Sequence, residues 1–143
     1  MWRDLIKGLT NEYEFFPPAS SVQLETVEKS LSVILPNELR ELLIETNGVK
    51  DEYGYWLIWP TESIESENLS YRSNPDFREL YMPFESLLFF AEHGNGDLYA
   101  YVITSIGITR RDIFIWEHES DSRRWCAFGL ARYFEHRSEE SNK

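Results

Sequence analysis

Cysteine and histidine, two side chains that often act as nucleophile or general base, are scarce in this sequence. The single cysteine, Cys126, lies between Trp125 and Ala127 in a stretch with helical periodicity, and no partner base is predicted beside it. A thiol needs a lowered pKa or an adjacent base to act as a nucleophile. We therefore interpret Cys126 as a packing residue, and a lone cysteine forms no internal disulfide.

Histidines and glutamates come close together at the ends of two predicted strands. His93 follows Glu92 directly, and His118 stands between Glu117 and Glu119. These side chains could supply nitrogen and oxygen ligands, but their spacing matches none of the zinc-binding patterns. We predict polar strand ends here, with no metal, no cofactor and no catalytic residue. A hydrolase that uses Glu117, Glu119 and a histidine for general acid and base chemistry is the alternative.

The stretch Gly94-Asn95-Gly96-Asp97 could cradle an anion with its backbone N–H groups. Phosphate loops are followed by a helix, whereas a strand is predicted to follow here. Asn-Gly between two apolar runs is typical of a tight hairpin turn. We therefore predict a pair of antiparallel strands, at residues 86–92 and 98–104.

Acidic side chains are the most abundant functional groups, and they are unevenly distributed. The chain has 25 acidic residues against 14 lysines and arginines, a formal net charge of −11. Binding to DNA or RNA is disfavoured, because nucleic-acid-binding proteins carry a basic surplus. In residues 38–67, eight acids face only Arg40 and Lys50. A segment this acidic projects a negative potential that favours a basic partner, although it could also serve solubility alone.

We predict that a basic protein partner contacts this segment and a rim formed by later turns. The predicted contact residues are Glu38, Glu41, Glu45, Asp51, Glu52, Trp56, Glu62, Glu65, Glu67, Glu92, Asp97, Glu117, Glu119 and Asp121. An aromatic side chain such as Trp56 or Tyr53, buried beside the charges, would add affinity that salt does not remove. Trp56 could equally belong to the core. The four arginines at 110, 111, 123 and 124 are expected to pair with the surplus acids.

The elements that must position these residues begin with three helices. Residues 2–9 show helical spacing of apolar side chains, and Ser20 with Gln23 forms a capping-box pattern before a helix that ends near Ser32. A third helix spans residues 36–46, with Asn47-Gly48 as a left-handed cap. Between the first two helices, Pro17 and Pro18 break the pattern.

Downstream of Gly48 the apolar period changes toward that of strands. We predict strands at residues 53–59 and 112–118 in addition to the hairpin, a short helix at 61–70 with Ile64 and Leu69 inward, and an irregular loop at 70–83. A closing helix is predicted over residues 122–137, from the spacing of Trp125, Phe128, Leu130 and Phe134.

These elements predict one α+β domain over residues 1–143, with an antiparallel sheet of about four or more strands covered on one face. N-terminal helices and a C-terminal helix pack on that sheet. Residues 1–19 form an extension helix and a proline-rich turn, and residues 138–143 a frayed tail. The sequence carries no apolar run long enough to cross a membrane and no signal-peptide pattern, so we expect a cytoplasmic protein.

The pattern Leu35-Pro36 through Thr46-Asn47-Gly48 resembles the Leu-Pro…Asn-Gly helix of the SUKH superfamily. Later blocks agree with the family in order and spacing: residues 88–91 with 94–97, residues 115–119, and residues 127–128 with 133–134. The similarity covers about residues 20–134 and extends to the immunity proteins of bacterial LXG toxins. Departures are Ala127-Phe128, where relatives often have Ser-Phe, and the 70–83 loop.

The SUKH superfamily contains fungal cell-wall-assembly regulators and many bacterial immunity proteins. The resemblance therefore implies a non-enzymatic α+β domain that binds and neutralises a cognate toxin, often a nuclease, in the producing cell. An acidic inhibitor would mimic the phosphates that a nuclease cleft binds. The alternative is a regulatory protein-interaction scaffold without a toxin partner. The oligomeric state stays open.

Overall fold

Three helices at the N-terminal end follow the local signals of the sequence. The computed structural model describes residues 1–141, with helices α1 (Trp2–Leu9), α2 (Ser21–Leu31) and α3 (Asn37–Glu45). The Ser20 side chain accepts from the Gln23 N–H, and the Gln23 side chain accepts from the Ser20 N–H, so the predicted capping box is confirmed.

Helix α3 ends close to its predicted end, but the predicted left-handed cap is wrong. Thr46, the residue after the helix, is extended rather than left-handed. Gly48 has a positive φ of 107°, but it lies two residues beyond Thr46 and does not cap the helix. Its backbone lies against the ring of Trp56. A Cβ at position 48 would lie 2.6 Å from that ring, so the glycine permits a close approach of backbone and indole.

A small antiparallel sheet joins the helices to the rest of the fold. Its order is β1 (Glu14–Phe15), β2 (Val49–Lys50) and β3 (Trp56–Ile58). The strand predicted at 53–59 is shorter than expected, because residues 51–55 form a turn. The Asp51 carboxylate accepts hydrogen bonds from the N–H groups of Tyr53 and Tyr55, each at 2.9 Å, and holds that turn.

Two helices replace the short helix and irregular loop predicted at residues 61–83. Helix α4 (Thr61–Ser73) continues past its predicted end, and α5 (Pro75–Leu80) follows at once, because the Asn74 side chain caps it by accepting from the Asp76 N–H. Leu69 is exposed rather than inward. Ile64 is buried, as predicted, and so is Asn68, whose amide bonds both the N–H and the carbonyl of Phe89.

The larger antiparallel sheet has four strands in sequence order. They are β4 (Leu87–Glu92), β5 (Leu98–Val102), β6 (Asp112–Glu117) and β7 (Ser122–Phe128). The predicted hairpin pairing of β4 with β5 is confirmed. Helices cover both faces rather than one: Phe90 contacts Tyr133 of the last helix, while Phe89 contacts Tyr71 of α4.

The closing helix predicted over 122–137 is wrong in its first half. Residues 122–128 form strand β7, and α6 (Leu130–Ser141) begins only after Gly129. Trp125 and Phe128, whose spacing suggested a helix, are largely exposed on this edge strand. Helix α6 continues beyond the predicted boundary at Ser138, and residues 142–143 lie outside the described part of the chain.

The α+β class is confirmed by this arrangement of six helices and two antiparallel sheets across residues 1–141. Its core is one contiguous cluster that runs from Trp2 in α1 to Phe134 in α6. Within the same residues, no helix has the length and apolar character needed to span a bilayer.

Candidate partner-binding surface

Glu38, predicted as a partner contact, lies at the start of α3 and holds the start of α6. Its Oε2 accepts from the Tyr101 hydroxyl at 2.7 Å and from the Leu130 N–H at 2.9 Å. Burial raises the pKa of Glu38, although both hydrogen bonds act to lower it. This carboxylate therefore serves the fold.

Glu45, at the other end of α3, caps the start of α1 in a similar way. It accepts from the Trp2 N–H at 2.9 Å and from the Arg3 N–H at 3.1 Å, two groups that the first turn of a helix leaves without an internal partner. Burial would raise the pKa of Glu45, and these hydrogen bonds lower it. Glu41, between the two, is exposed and makes no hydrogen bond or ion pair with residues 1–141.

The turn between β6 and β7 carries three more of the predicted residues. We define the β6–β7 tip as residues 117–124 together with Asp97, which contacts it. Asp97 Oδ1 accepts from the His118 N–H at 3.0 Å and lies 2.7 Å from His118 Nδ1. Glu117 pairs with Arg124 at 2.7 Å. Glu119 is exposed and has no such partner among the described residues.

Asp121 is the most heavily bonded carboxylate of the β6–β7 tip. It accepts from Trp116 Nε1 at 2.8 Å and from the Met82 N–H at 2.9 Å, and it forms an ion pair with Arg123 at 3.2 Å. Burial would raise the pKa of Asp121, but these donors and the positive charge lower it. Three of the four carboxylates of the tip, those of Asp97, Glu117 and Asp121, thus contact a basic side chain within the protein.

The three glutamates of α4 point in two directions. Glu62 and Glu65 line a groove toward α2, where the Ser30 hydroxyl donates to Glu65. Glu67 shares its face of α4 with Ser63 and Tyr71, four residues before and after it. That face looks into a separate cleft, which brings several predicted residues together.

This aromatic cleft, as we name it, has a volume of about 430 Å³ and opens between α4, the 51–55 turn and the β4–β5 turn. Its lining residues are Tyr55, Trp56, Trp59, Ser63, Glu67, Tyr71, Glu92, Gly94, Gly96 and Leu98. Of the fourteen predicted contacts, the structure thus places Trp56, Glu67 and Glu92 in one site. Asp51 and Glu52 lie in the turn that carries Tyr55.

Local structure fixes the walls of the aromatic cleft. Glu92 accepts from the Trp56 N–H at 3.3 Å and from Trp59 Nε1 at 3.2 Å, which holds β3 against β4. The Tyr55 ring rests on Gly94, where an added Cβ would lie 3.1 Å from the ring. A larger residue at 94 would therefore push Tyr55 away. Trp56 is half-buried and packs on Phe16, with ring centroids 5.0 Å apart.

The aromatic cleft carries negative charge without a matching cation. Within residues 1–141, no lysine, arginine or histidine forms an ion pair with Glu67 or Glu92. Lys50 Nζ lies 4.6 Å from the Trp56 ring centroid, but Lys50 does not line the cleft. Burial raises the pKa of the Tyr71 hydroxyl, and the charges of Glu67 and Glu92 raise it further.

Sequence reasoning missed the aromatic residues Tyr55, Trp59 and Tyr71. It named Tyr53 instead, which is 73% exposed and lies outside the lining. The sequence signal for Tyr55 is Asp51, because an aspartate often closes a turn. The Asp51 carboxylate accepts from the Tyr55 N–H, so Tyr55 belongs to a turn and not to the predicted strand.

The residues considered for chemistry are engaged elsewhere. Burial raises the pKa of the Cys126 thiol to about 11, and this residue lies on β7 rather than in a helix. His93 contacts Glu140 at 3.2 Å. Within residues 1–141, no three His, Cys, Asp or Glu side chains are grouped to hold a metal. Arg110, Arg123 and Arg124 pair with carboxylates, as expected, while Arg111 stacks over the Phe128 ring.

Comparison with known families identifies the family of this chain. The SUKH_6 family model, described as SMI1-KNR4 cell-wall, matches residues 22–134. The chain belongs to this SUKH family. No curated protein matches the sequence.

The SUKH match includes every residue that lines the aromatic cleft and leaves α1 outside. The Asn-Gly pair that first suggested the family also helps to shape the cleft. Asn47 Oδ1 accepts from the Thr61 N–H at 2.9 Å and so fixes the start of α4, while Gly48 lies beneath Trp56. In this SUKH chain the motif therefore links α3 to two walls of the cleft.

Proposed function

We propose that this SUKH protein is an immunity protein that binds and neutralises a cognate toxin, with a basic nuclease domain, in the cytoplasm of the producing cell. Membership of a family that includes many immunity proteins supports this proposal. The finer likeness to the LXG-toxin immunity proteins is part of it. We also propose that the chain acts as one domain, by binding rather than by catalysis.

The observation that carries the proposal is the aromatic cleft, which combines carboxylates that lack a cation with aromatic side chains. Unneutralised charge attracts a basic toxin surface over distance, and aromatic contacts hold it once bound. Glu52 and Glu41, which are also free of ion pairs within residues 1–141, add to the attraction.

A charge-steered complex has a recognisable kinetic signature. The association rate constant should fall steeply as salt rises, because salt screens the approach of a basic domain. The dissociation rate constant should change less, because aromatic contacts govern it. Stopped-flow association at low and high ionic strength measures both. An association rate constant that is independent of salt contradicts the electrostatic part of the proposal.

The proposal as a whole is tested by capture and neutralisation. The purified protein is presented with each secreted-toxin domain of its own genome, and any domain that binds is assayed for nuclease activity. We expect one domain to bind and to lose its activity at an equimolar ratio. Capture of no toxin domain, or capture without loss of activity, contradicts an immunity function.

A regulatory scaffold of the cell-wall-assembly type is the second candidate, and the description of the matching family favours it. Such a scaffold would bind a cellular protein and inhibit no toxin. Genomic context separates the two candidates, because an adjacent toxin gene favours immunity.

A further inference from the structure

We infer that the aromatic cleft receives one arginine side chain of the partner protein. This inference rests on the proposed function only for the source of the arginine. The chemistry of the site itself, aromatic faces beside carboxylates, is open to direct test without any partner.

The walls of the cleft suit a flat cation. Tyr55 is 41% exposed and its ring lies against Gly94, whereas Trp59 is only 3% exposed and donates its indole N–H to Glu92 at the base of the cleft. A cation over the exposed Tyr55 ring is attracted by the π-electron quadrupole of that ring. The same attraction occurs beside the cleft, where the Lys50 ammonium lies over the Trp56 ring.

The two carboxylates supply the second part of the recognition. Glu67 is exposed at the mouth and forms no hydrogen bond or ion pair with residues 1–141, whereas Glu92 is half-buried between β3 and β4. Both glutamates line the same cleft, and both charges raise the pKa of Tyr71. The bonds that Glu92 accepts come from neutral N–H donors, which leaves its negative charge uncompensated.

Arginine fits this combination better than other ligands. Its planar guanidinium stacks on aromatic rings and offers several N–H donors to carboxylates, whereas an ammonium is more strongly hydrated and stacks less well. The volume of about 430 Å³ lies within the range of about 300–1,000 Å³ that is typical of binding pockets. A neutral side chain would leave the two carboxylates without a cation.

The test is an NMR titration of the isolated protein with Nα-acetyl-arginine amide, with the neutral isostere Nα-acetyl-citrulline amide as matched probe. The reporter is the Trp59 indole N–H, because it donates to Glu92. We expect a saturable shift of this resonance with the arginine probe, a weaker response with the lysine analogue and none with citrulline. An equal response to citrulline, or no response to arginine, overturns the inference.

Matched variants locate the binding within the cleft. Glu67→Gln should weaken binding of the arginine probe about fivefold, whereas Glu62→Gln, which removes the same charge from the opposite side of α4, should leave it unchanged. Tyr55→Ala should weaken binding, and Tyr53→Ala should not. Equal effects within either pair overturn the inference. If the protein neutralises a toxin but fails to bind the probe, only this inference falls, and if it binds the probe but no toxin, only the immunity function falls.

Discussion

The β6–β7 tip and the aromatic cleft are both acidic in the sequence, yet their carboxylates differ in the partners that they have within the protein. At the tip, Asp97 and Asp121 are held by N–H donors and by basic side chains, and the pKa of each lies below its ordinary value. For Asp97, burial would raise the pKa, and His118 outweighs it. In the cleft, Glu67 has no partner within residues 1–141, and Glu92 has only neutral ones.

This difference separates charge that maintains the fold from charge that is available to a partner. A basic surface that approaches the tip meets carboxylates that Arg123, Arg124 and His118 already contact. The same surface at the cleft meets carboxylates that lack a cation. We therefore expect substitutions at the tip to change stability, and substitutions at the cleft to change binding.

The largest effect is expected from Asp121→Ala at the tip. The change leaves Trp116 Nε1 and the Met82 N–H without their acceptor and removes the ion pair of Arg123, so we expect a loss of about 2–4 kcal/mol in the free energy of unfolding. Urea denaturation measures it. Glu119→Ala, in the same turn but without a partner among the described residues, should change stability by less than about 0.5 kcal/mol. Similar losses in the two variants would contradict the division of roles.

The next effect concerns binding at the cleft. Glu67→Gln should leave the free energy of unfolding within about 0.5 kcal/mol of the parent, because Glu67 is exposed and unpaired among residues 1–141. It should weaken the toxin complex about tenfold, which corresponds to about 1.4 kcal/mol. Isothermal titration calorimetry measures this affinity, with Glu62→Gln as control. A parallel loss of stability would place Glu67 with the structural carboxylates.

Acid should remove the stability that Asp121 contributes at the tip. The lowered pKa of Asp121 means that its contribution to stability is present above the ordinary value of 3.8 and is lost as pH falls toward the folded-state pKa. Denaturation midpoints between about pH 6 and about pH 3 should therefore fall in the parent. Asp121→Asn should be less stable near neutrality but should show a shallower decline in acid. An equally steep decline in both proteins would assign the acid sensitivity to other groups.

The smallest effect is expected at Glu38, a half-buried carboxylate whose pKa is raised. Its protonated form suits the fold, so the stability it contributes is lost as pH rises through the folded-state pKa. Glu38→Gln keeps an oxygen acceptor for Tyr101 and Leu130. We expect this variant to match the parent in acid and to equal or slightly exceed it at neutral pH, by thermal denaturation. A marked loss at neutral pH would mean that the charge itself is needed.

Helices α1 to α3 and the β4–β5 hairpin could be predicted because their signals are local, such as the Ser20 capping box and Asn95-Gly96. Strand β7 could not, because Trp125 and Phe128 have helical spacing and only pairing with β6 decides their geometry. Helix α5 has a local start signal in Asn74-Pro75, but its six residues bury no side chain, so the apolar pattern does not reveal it and the packing of Phe77 on Tyr71 holds it.

The candidate site was predicted in part. Trp56, Glu67 and Glu92 were named, but eleven further residues were named with them. Whether a carboxylate is bonded depends on distant partners, as with Glu38 and Leu130, which are 92 positions apart. Composition and spacing carry no such information, so only the folded structure separates the two kinds of carboxylate.

Amide hydrogen exchange of the protein with and without its captured toxin tests the central claim most directly. If the aromatic cleft binds the partner, exchange should slow in residues 51–56 and along the Ser63–Tyr71 stretch of α4, while residues 118–122 of the β6–β7 tip stay unchanged. Protection at the tip, with the cleft unaffected, would contradict the account.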